Sequence, residues 1–218
     1  SRGLGDVYKR QLLRSPAGFR RLLAVPAHIS PPARAPRFAL GVCFATLRYM
    51  TSHADSPIEF TFRRAVEADR PFIHRMNEET DTWGDPERGF SETFDEDTVF
   101  YVDGWTEGQG GVIVEENGEA IGAAWLLDSS KDHHGYGFVS EEYPEVAIAM
   151  APGNTGKGLG TKLMQAVLDQ AKADGKPGVS LCVVFGNDRA KHVYEKIGYV
   201  DKGVDEAEHA HVMLYTFD

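Results

Sequence analysis

VAIAMAPGNTGKGLGTKLM, residues 146–164, decides how this chain is read. Val146, Ile148 and Met150 alternate with Ala147, Ala149 and Ala151, the period of a strand that begins near Glu145. Gly153, Gly156, Gly158 and Gly160 end that pattern, and Leu159, Leu163, Ala166, Val167 and Ala171 then recur at helical spacing until Asp-Gly-Lys-Pro-Gly, 174–178, stops the helix. A glycine-rich strand-to-helix turn lets the backbone approach a ligand closely. The free N–H groups and dipole of the helix's first turn then favour phosphate. Such a turn can also be a plain tight connection, so the exact letters have to discriminate. A P-loop needs four residues between its first glycine and Gly-Lys, then Ser or Thr; here Gly153 is followed by Asn-Thr-Gly-Lys and then Gly158, which fails in both respects. The dinucleotide fingerprint Gly-x-Gly-x-x-Gly is also missed, because Gly156, Gly158 and Gly160 are spaced Gly-x-Gly-x-Gly late in the chain.

Elements on either side fit a mixed α/β order without repeats. Upstream, Phe60 and Phe62 alternate with Thr61 and Arg63, predicting a strand over 59–65. Pro71 in a first turn and an apolar face of Phe72, Ile73 and Met76 predict a helix to about Glu79, followed by an acidic, turn-rich stretch that is weakly helical to Trp105. The segments 112–114 and 120–127, joined through Asn117-Gly118, read as a hairpin. Downstream, 179–185 suits a buried strand. Asn187 is placed to cap a helix carrying Ala190, Val193, Tyr194 and Ile197, with Gly198 at its end, and 199–202 and 212–217 supply two closing strands.

Composition narrows the partners. The 218 residues carry a net charge of -10, unevenly placed. Residues 1–49 hold 9 Lys and Arg against 1 Asp, leaving 14 basic against 32 acidic residues in 50–218. That acidic excess speaks against nucleic acid and anionic membrane, which bind through Lys and Arg, and is compatible with a cationic substrate. Two cysteines exclude a disulfide framework, and the apolar run around Cys182 suits a reduced thiol. The longest apolar run, 38–47, is about half of the ~20 residues that cross a bilayer. A cytoplasmic protein, monomeric or homodimeric, is the expectation. Residues 6–11, DVYKRQ, resemble an in-frame translation of a sequencing adapter, and the Arg- and Pro-rich stretch that follows has no periodicity. Residues 1–49 are therefore expected to be a non-native or disordered extension, with translation starting at Met50 and one domain over 50–218. An export signal is the rival reading, opposed by the long basic lead and by Arg48 after the apolar run.

The turn resembles the coenzyme A loop of the GNAT N-acetyltransferase superfamily, which has Arg or Gln, two residues, Gly, one residue, then Gly or Ala, and a proline three residues upstream. Pro152, Thr155, Gly158 and Gly160 occupy those places, and Thr155 departs from the usual Arg or Gln. A second block agrees: LCVVFGNDRAKHVYEKIGY, 181–199, has Asn187, Ala190, Tyr194, Glu195 and Gly198 where the family pattern has them. The resemblance implies a mixed, mostly antiparallel central sheet flanked by helices, with acetyl-CoA as cosubstrate and no metal. It implies that main-chain groups of Ile148, Ala149 and Met150 pair with the pantetheine arm, that N–H groups over Thr155, Gly156, Lys157, Gly158, Leu159, Gly160 and Thr161 hold the pyrophosphate, and that Asn187 helps to hold the coenzyme.

Acetyl transfer to an amine requires a neutral amine, stabilisation of the oxyanion, and a proton for the leaving thiolate. An alkyl amine with a pKa of ~10.4 is mostly protonated at neutral pH, so a base is needed. Glu145 begins the strand and shares a face with the small residues Ala147 and Ala149, which makes it the candidate, with Glu141 and Glu142 as weaker ones; the alternative is a solvated strand end. Tyr194, seven residues after Asn187 on one helix face, is the candidate acid; the alternative is packing. His133-His134 and the His209/His211 pair, expected on one strand face, lack a third ligand at metal-binding spacing. Trp83, Trp105, Trp125 and Tyr136 are candidates for the acceptor pocket or for the core. Two rival readings are a non-catalytic acyl-CoA-binding module of the same fold, which Tyr194 opposes, and a nucleotide-binding protein, which the failed spacings oppose.

Overall fold

Alternation and turn chemistry build one sheet. The structure, a computed structural model, describes residues 47–48, 58–85 and 87–218, so the expectations for 1–46 lie outside the described residues. In chain order the strands are β1 (Leu47–Arg48), β2 (Glu59–Arg64), β3 (Gly111–Glu116), β4 (Glu119–Leu127), β5 (Glu145–Met150), β6 (Gly178–Val184), β7 (Val200–Asp205) and β8 (Ala210–Thr216). They lie side by side in the order β1-β2-β3-β4-β5-β6-β8-β7. Every neighbouring pair is antiparallel except β5 and β6, which run parallel as a crossover through a helix requires. The two-residue β1 belongs to the stretch that the sequence reading sets aside as extension. It pairs with β2 through Leu47 opposite Phe60 and Arg48 opposite Glu59.

Hairpin β3–β4 turns at Asn117 and Gly118, both at positive φ (52° and 86°), the conformation in which an Asn-Gly turn matches the strand twist. The helices are α1 (Arg70–Thr82), α2 (Phe94–Thr98), α3 (Leu159–Ala173) and α4 (Asp188–Ile197), and α2 runs on into a π-helical turn, Val99–Asp103. Asn187 caps α4, its side chain accepting from the Ala190 N–H at 3.3 Å, and Gly198 ends it in the left-handed region. At the end of α1, Trp83 takes the same left-handed conformation, with φ 57°.

The central strands are covered on both faces. Val112, Val114, Ala124, Leu126 and Val146 face α3, where Leu159, Leu163, Val167 and Ala171 complete one core. Ile113, Ala123, Trp125 and Leu127 face α1, where Phe72, Ile73 and Met76 complete a second core with Trp105. This explains why β3 and β4 read as unbroken apolar runs. Leu163 is fully buried while Val200 on edge strand β7 is 59% exposed. Leu163→Ala is expected to lower the unfolding free energy by about 2–5 kcal/mol and Val200→Ala by less than about 0.5 kcal/mol, measured by urea denaturation.

Candidate active site

β5 and β6 pair at one position only, Glu145 opposite Ser180, and then part. The Ser180 N–H donates to Pro144 O, and at the other end the Ala151 N–H donates back to Ile121 O beside β4. Strand alternation therefore turns the main-chain groups of Ile148 and Met150 toward the opening and those of Ala149 toward β4. The glycine turn lies at the end of β5. Gly156 and Gly158 have φ of 81° and 73°, and Gly158 is the residue from which α3 starts, so its free first-turn N–H groups at Leu159, Gly160 and Thr161 border the turn. Lys157 reaches back to Asn154 Oδ1 at 3.1 Å.

One cation there was missed from sequence. Arg189, exposed on the first turn of α4, brings a guanidinium nitrogen within 3.7 Å of where a Gly156 side chain would begin, and it has no carboxylate partner among the described residues. Arg189 and the amide-lined turn form a cradle suited to a pyrophosphate. Its only sequence signal is its position two residues after a capping Asn. Asn187 and Phe185 line a separate cavity of about 160 Å³ at the end of β6, with Lys191 and His211.

The two candidate proton carriers lie on opposite faces of the sheet. Tyr194 lies half-buried on α4 and packs with Ala190 and Ile197 against the α3-side core. Its hydroxyl has no hydrogen-bond partner among the described residues. Burial, and next the Cys182 thiol, push the phenol above its usual range, which keeps it protonated. Glu145 is 1% exposed and lies on the face of Ala147 and Ala149. Its Oε1 accepts from the Tyr101 hydroxyl at 2.7 Å. Its Oε2 receives no hydrogen bond of good geometry, although the nearby Gly137 amide favours the charged form. Burial outweighs both of these contacts and pushes the carboxyl up to about 7.

Beside Glu145, a cavity of about 240 Å³ is lined by Glu96, Asp97, Phe100, Tyr101, His133, His134, Gly135 and Tyr136. The Tyr136 hydroxyl donates to Asp97 Oδ1 at 2.6 Å and Thr93 donates to Asp97 Oδ2 at 2.8 Å. Burial, with Asp81 and Glu96 nearby, raises Asp97 above the usual carboxylate range. Of the aromatic candidates only Tyr136 reaches this cavity. Trp105 and Trp125 are fully buried core, and Trp83 stands in solvent under the Arg88 guanidinium at 4.2 Å. Glu141 and Glu142 are exposed. His209 occupies the β7–β8 turn at φ 49° rather than sharing a strand face with His211. No group of three or more His, Cys, Asp or Glu side chains among the described residues is arranged to hold a metal ion. None of their helices is long and apolar enough to cross a membrane.

A strand pair that opens onto a glycine turn and a helix N-terminus, in a sheet of this order, is matched by the acetyltransferase (GNAT) family over residues 73–199. The chain belongs to that family. It is 32% identical to the mycothiol acetyltransferase of Gordonia bronchialis over 47% of this chain and 38% of that protein. It spans about a third of the length of the curated relatives it matches. Among solved structures, yncA of Salmonella typhimurium, described as an acetyltransferase and solved with acetyl-CoA, superposes with a TM-score of 0.54 at 23% identity, covering 73% of this chain and 94% of that one. The spermidine N-acetyltransferase of Vibrio cholerae, in complex with CoA and spermine, gives 0.51 at 24% identity, covering 72% and 95%. At these identities the two structures share the fold.

Glu145 also sets a pH dependence of stability. A carboxyl raised from 4.5 to about 7 on folding binds its proton more tightly in the native state. Its contribution is therefore favourable below pH ~4.5 and is lost as pH rises through ~7. Glu145→Gln, which keeps an acceptor for Tyr101, is expected to stabilise the protein relative to wild type by about 3 kcal/mol more at pH 8 than at pH 4.5, read from urea melts at both pH values.

Proposed function

We propose that the chain transfers an acetyl group from acetyl-CoA to a primary amine by direct attack, with Glu145 as general base and Tyr194 as general acid. The observation that carries this reading is the placement of a buried carboxyl, raised to about 7, and a protonated phenol on opposite faces of one opening in the sheet. A base poised near neutrality can take the amine's proton without being permanently ionised or permanently protonated. A phenol held above its usual pKa can protonate a departing thiolate.

The same geometry supports a set of coenzyme-holding residues. N–H groups from Thr155 to Thr161 and the Arg189 guanidinium suit the pyrophosphate, and main-chain groups of Ile148 and Met150 face the place for the pantetheine arm. A β5 N–H directed into the opening is also placed to steady charge on the acyl oxygen. Asn187, whose carboxamide oxygen caps α4, acts chiefly by fixing that helix beside the opening. An acceptor that is cationic before transfer is supported by Glu96 and Asp97 on the cavity wall. The solved likeness to a spermidine acetyltransferase is compatible with such an amine.

Acetyl-CoA titration of the whole chain by calorimetry, with ATP and NAD as controls, should show binding of acetyl-CoA alone. Thiol release with a panel of diamines, polyamines and a lysine peptide should then show turnover. Tyr194→Phe is expected to keep acetyl-CoA affinity and lower kcat by about 10²-fold or more. Binding without turnover for any amine would favour the non-catalytic acyl-CoA module instead.

A further inference from the structure

Glu145, the proposed base, does not reach the cavity in which an amine would sit. It is 1% exposed and absent from the cavity wall, whereas Tyr101 is part of that wall and donates to Glu145 Oε1 at 2.7 Å. A side chain begun at Gly135 would collide with both the Tyr101 hydroxyl and Glu145 Oε2. The Gly135 backbone therefore packs directly against both groups, and Gly135 and Tyr101 are themselves part of the cavity wall while Glu145 is not.

Tyr101 is held firmly in this position. Its carbonyl accepts from Trp125 Nε1 at 2.7 Å, and its hydroxyl oxygen accepts from the Tyr136 N–H at 3.0 Å. It sits on the π-helical turn, a local departure from the α-helix that is common where a side chain must be re-aimed. A phenol has one donor and two acceptor sites, so after Glu145 and the Tyr136 amide are served one lone pair remains for a further donor.

Resting on the reading of Glu145 as base, we propose that Tyr101 is a catalytic relay between the acceptor cavity and Glu145. The acceptor ammonium gives one N–H proton to the Tyr101 hydroxyl oxygen while the hydroxyl's own proton passes to Glu145 Oε1. The products of this step are a neutral amine, an unchanged phenol and a protonated Glu145; two protons have shifted, for a net transfer of one, and no net charge rests on Tyr101. The amine lone pair then forms the C–N bond, the C–S bond breaks, and the thiolate takes its proton from Tyr194; the nitrogen's remaining excess proton restores the Tyr194 phenol, so the products are a neutral amide, a free thiol and a protonated Glu145. The titratable neighbours of Glu145 are Tyr101 itself, from the π turn, and Cys182, from β6; the loop bearing Gly135 and Gly137 contributes backbone only.

The test is the pH–rate profile of Tyr101→Phe in the whole chain, with the best acceptor from the amine panel, beside wild type and Glu145→Gln. In Tyr101→Phe the acid limb should move to higher pH, because the carboxylate loses its hydrogen bond. The relay predicts in addition that kcat stays about 10²-fold down on the plateau above that limb, with the KM for acetyl-CoA unchanged. A plateau restored to the wild-type rate would overturn the relay and leave Glu145 as base with Tyr101 only tuning it. A Glu145→Gln enzyme at full rate would sink both ideas. Should Tyr101→Phe not fold by thermal melting, a proton inventory on the wild-type chain replaces it. A bowed dependence on deuterium fraction, from two protons moving together, is expected, and a strictly linear one would refute the relay.

Discussion

A single parallel contact, Glu145 opposite Ser180, is the constraint on which the rest of this molecule depends. Elsewhere β5 is paired along its whole length with β4, and β6 is paired along its whole length with β8, so both strands are rigid on their outer edges. Because the two halves of the sheet are joined at one point and diverge beyond it, the inner edges keep main-chain donors and acceptors that no strand satisfies. In a compact core such groups would cost too much to leave unmade. Here they lie above a glycine turn and a helix N-terminus, so the same extended ligand can satisfy edge and turn together.

The joint also explains why the carboxyl is where it is. Glu145 stands at the last position before the sheet opens, where the chain is still fully packed against Trp125, Leu127 and the Gly135–Gly137 backbone. One residue farther along β5, the side chain would project to the other face. A charge placed here is strongly desolvated and has one clear hydrogen bond, from Tyr101, to offset that cost. An apolar residue would suit stability better. The position is locally frustrated, as perturbed sites in a core are.

Much of this was legible in the letters, for identifiable reasons. Period-two alternation in 146–151, the Asn117-Gly118 turn, the Asn187 cap and the Gly198 stop are local rules with local causes, and each element falls within a few residues of its expected place. Glu145 and the face it shares with Ala147 follow from the same alternation. What was not legible is non-local. Tyr101 looks like one aromatic among several in a weakly helical stretch; only the fold brings it to Glu145, 44 residues later. Arg189 likewise acquires its place from α4 folding back over a turn that lies more than 30 residues earlier. The four aromatic candidates for the pocket could not be sorted by sequence, because Trp83, Trp105, Trp125 and Tyr136 are all large amphipathic rings on paper and differ in where the fold places them. The β1 pairing escaped for another reason: two residues carry no periodicity.

The arrangement has a further consequence under the proposed mechanism. An acid and a base held on one face would have to share a single approach to the acyl carbon. Tyr194 comes from the α3 and α4 side of the sheet and Glu145 from the α1 side, and a continuous sheet would keep them apart for good. The splay removes the intervening strand contacts only beyond Glu145, so the two groups can act on the same acyl centre while remaining on separate faces. Cys182 on β6 is raised by burial and by Glu145, which keeps its thiol protonated and uncharged.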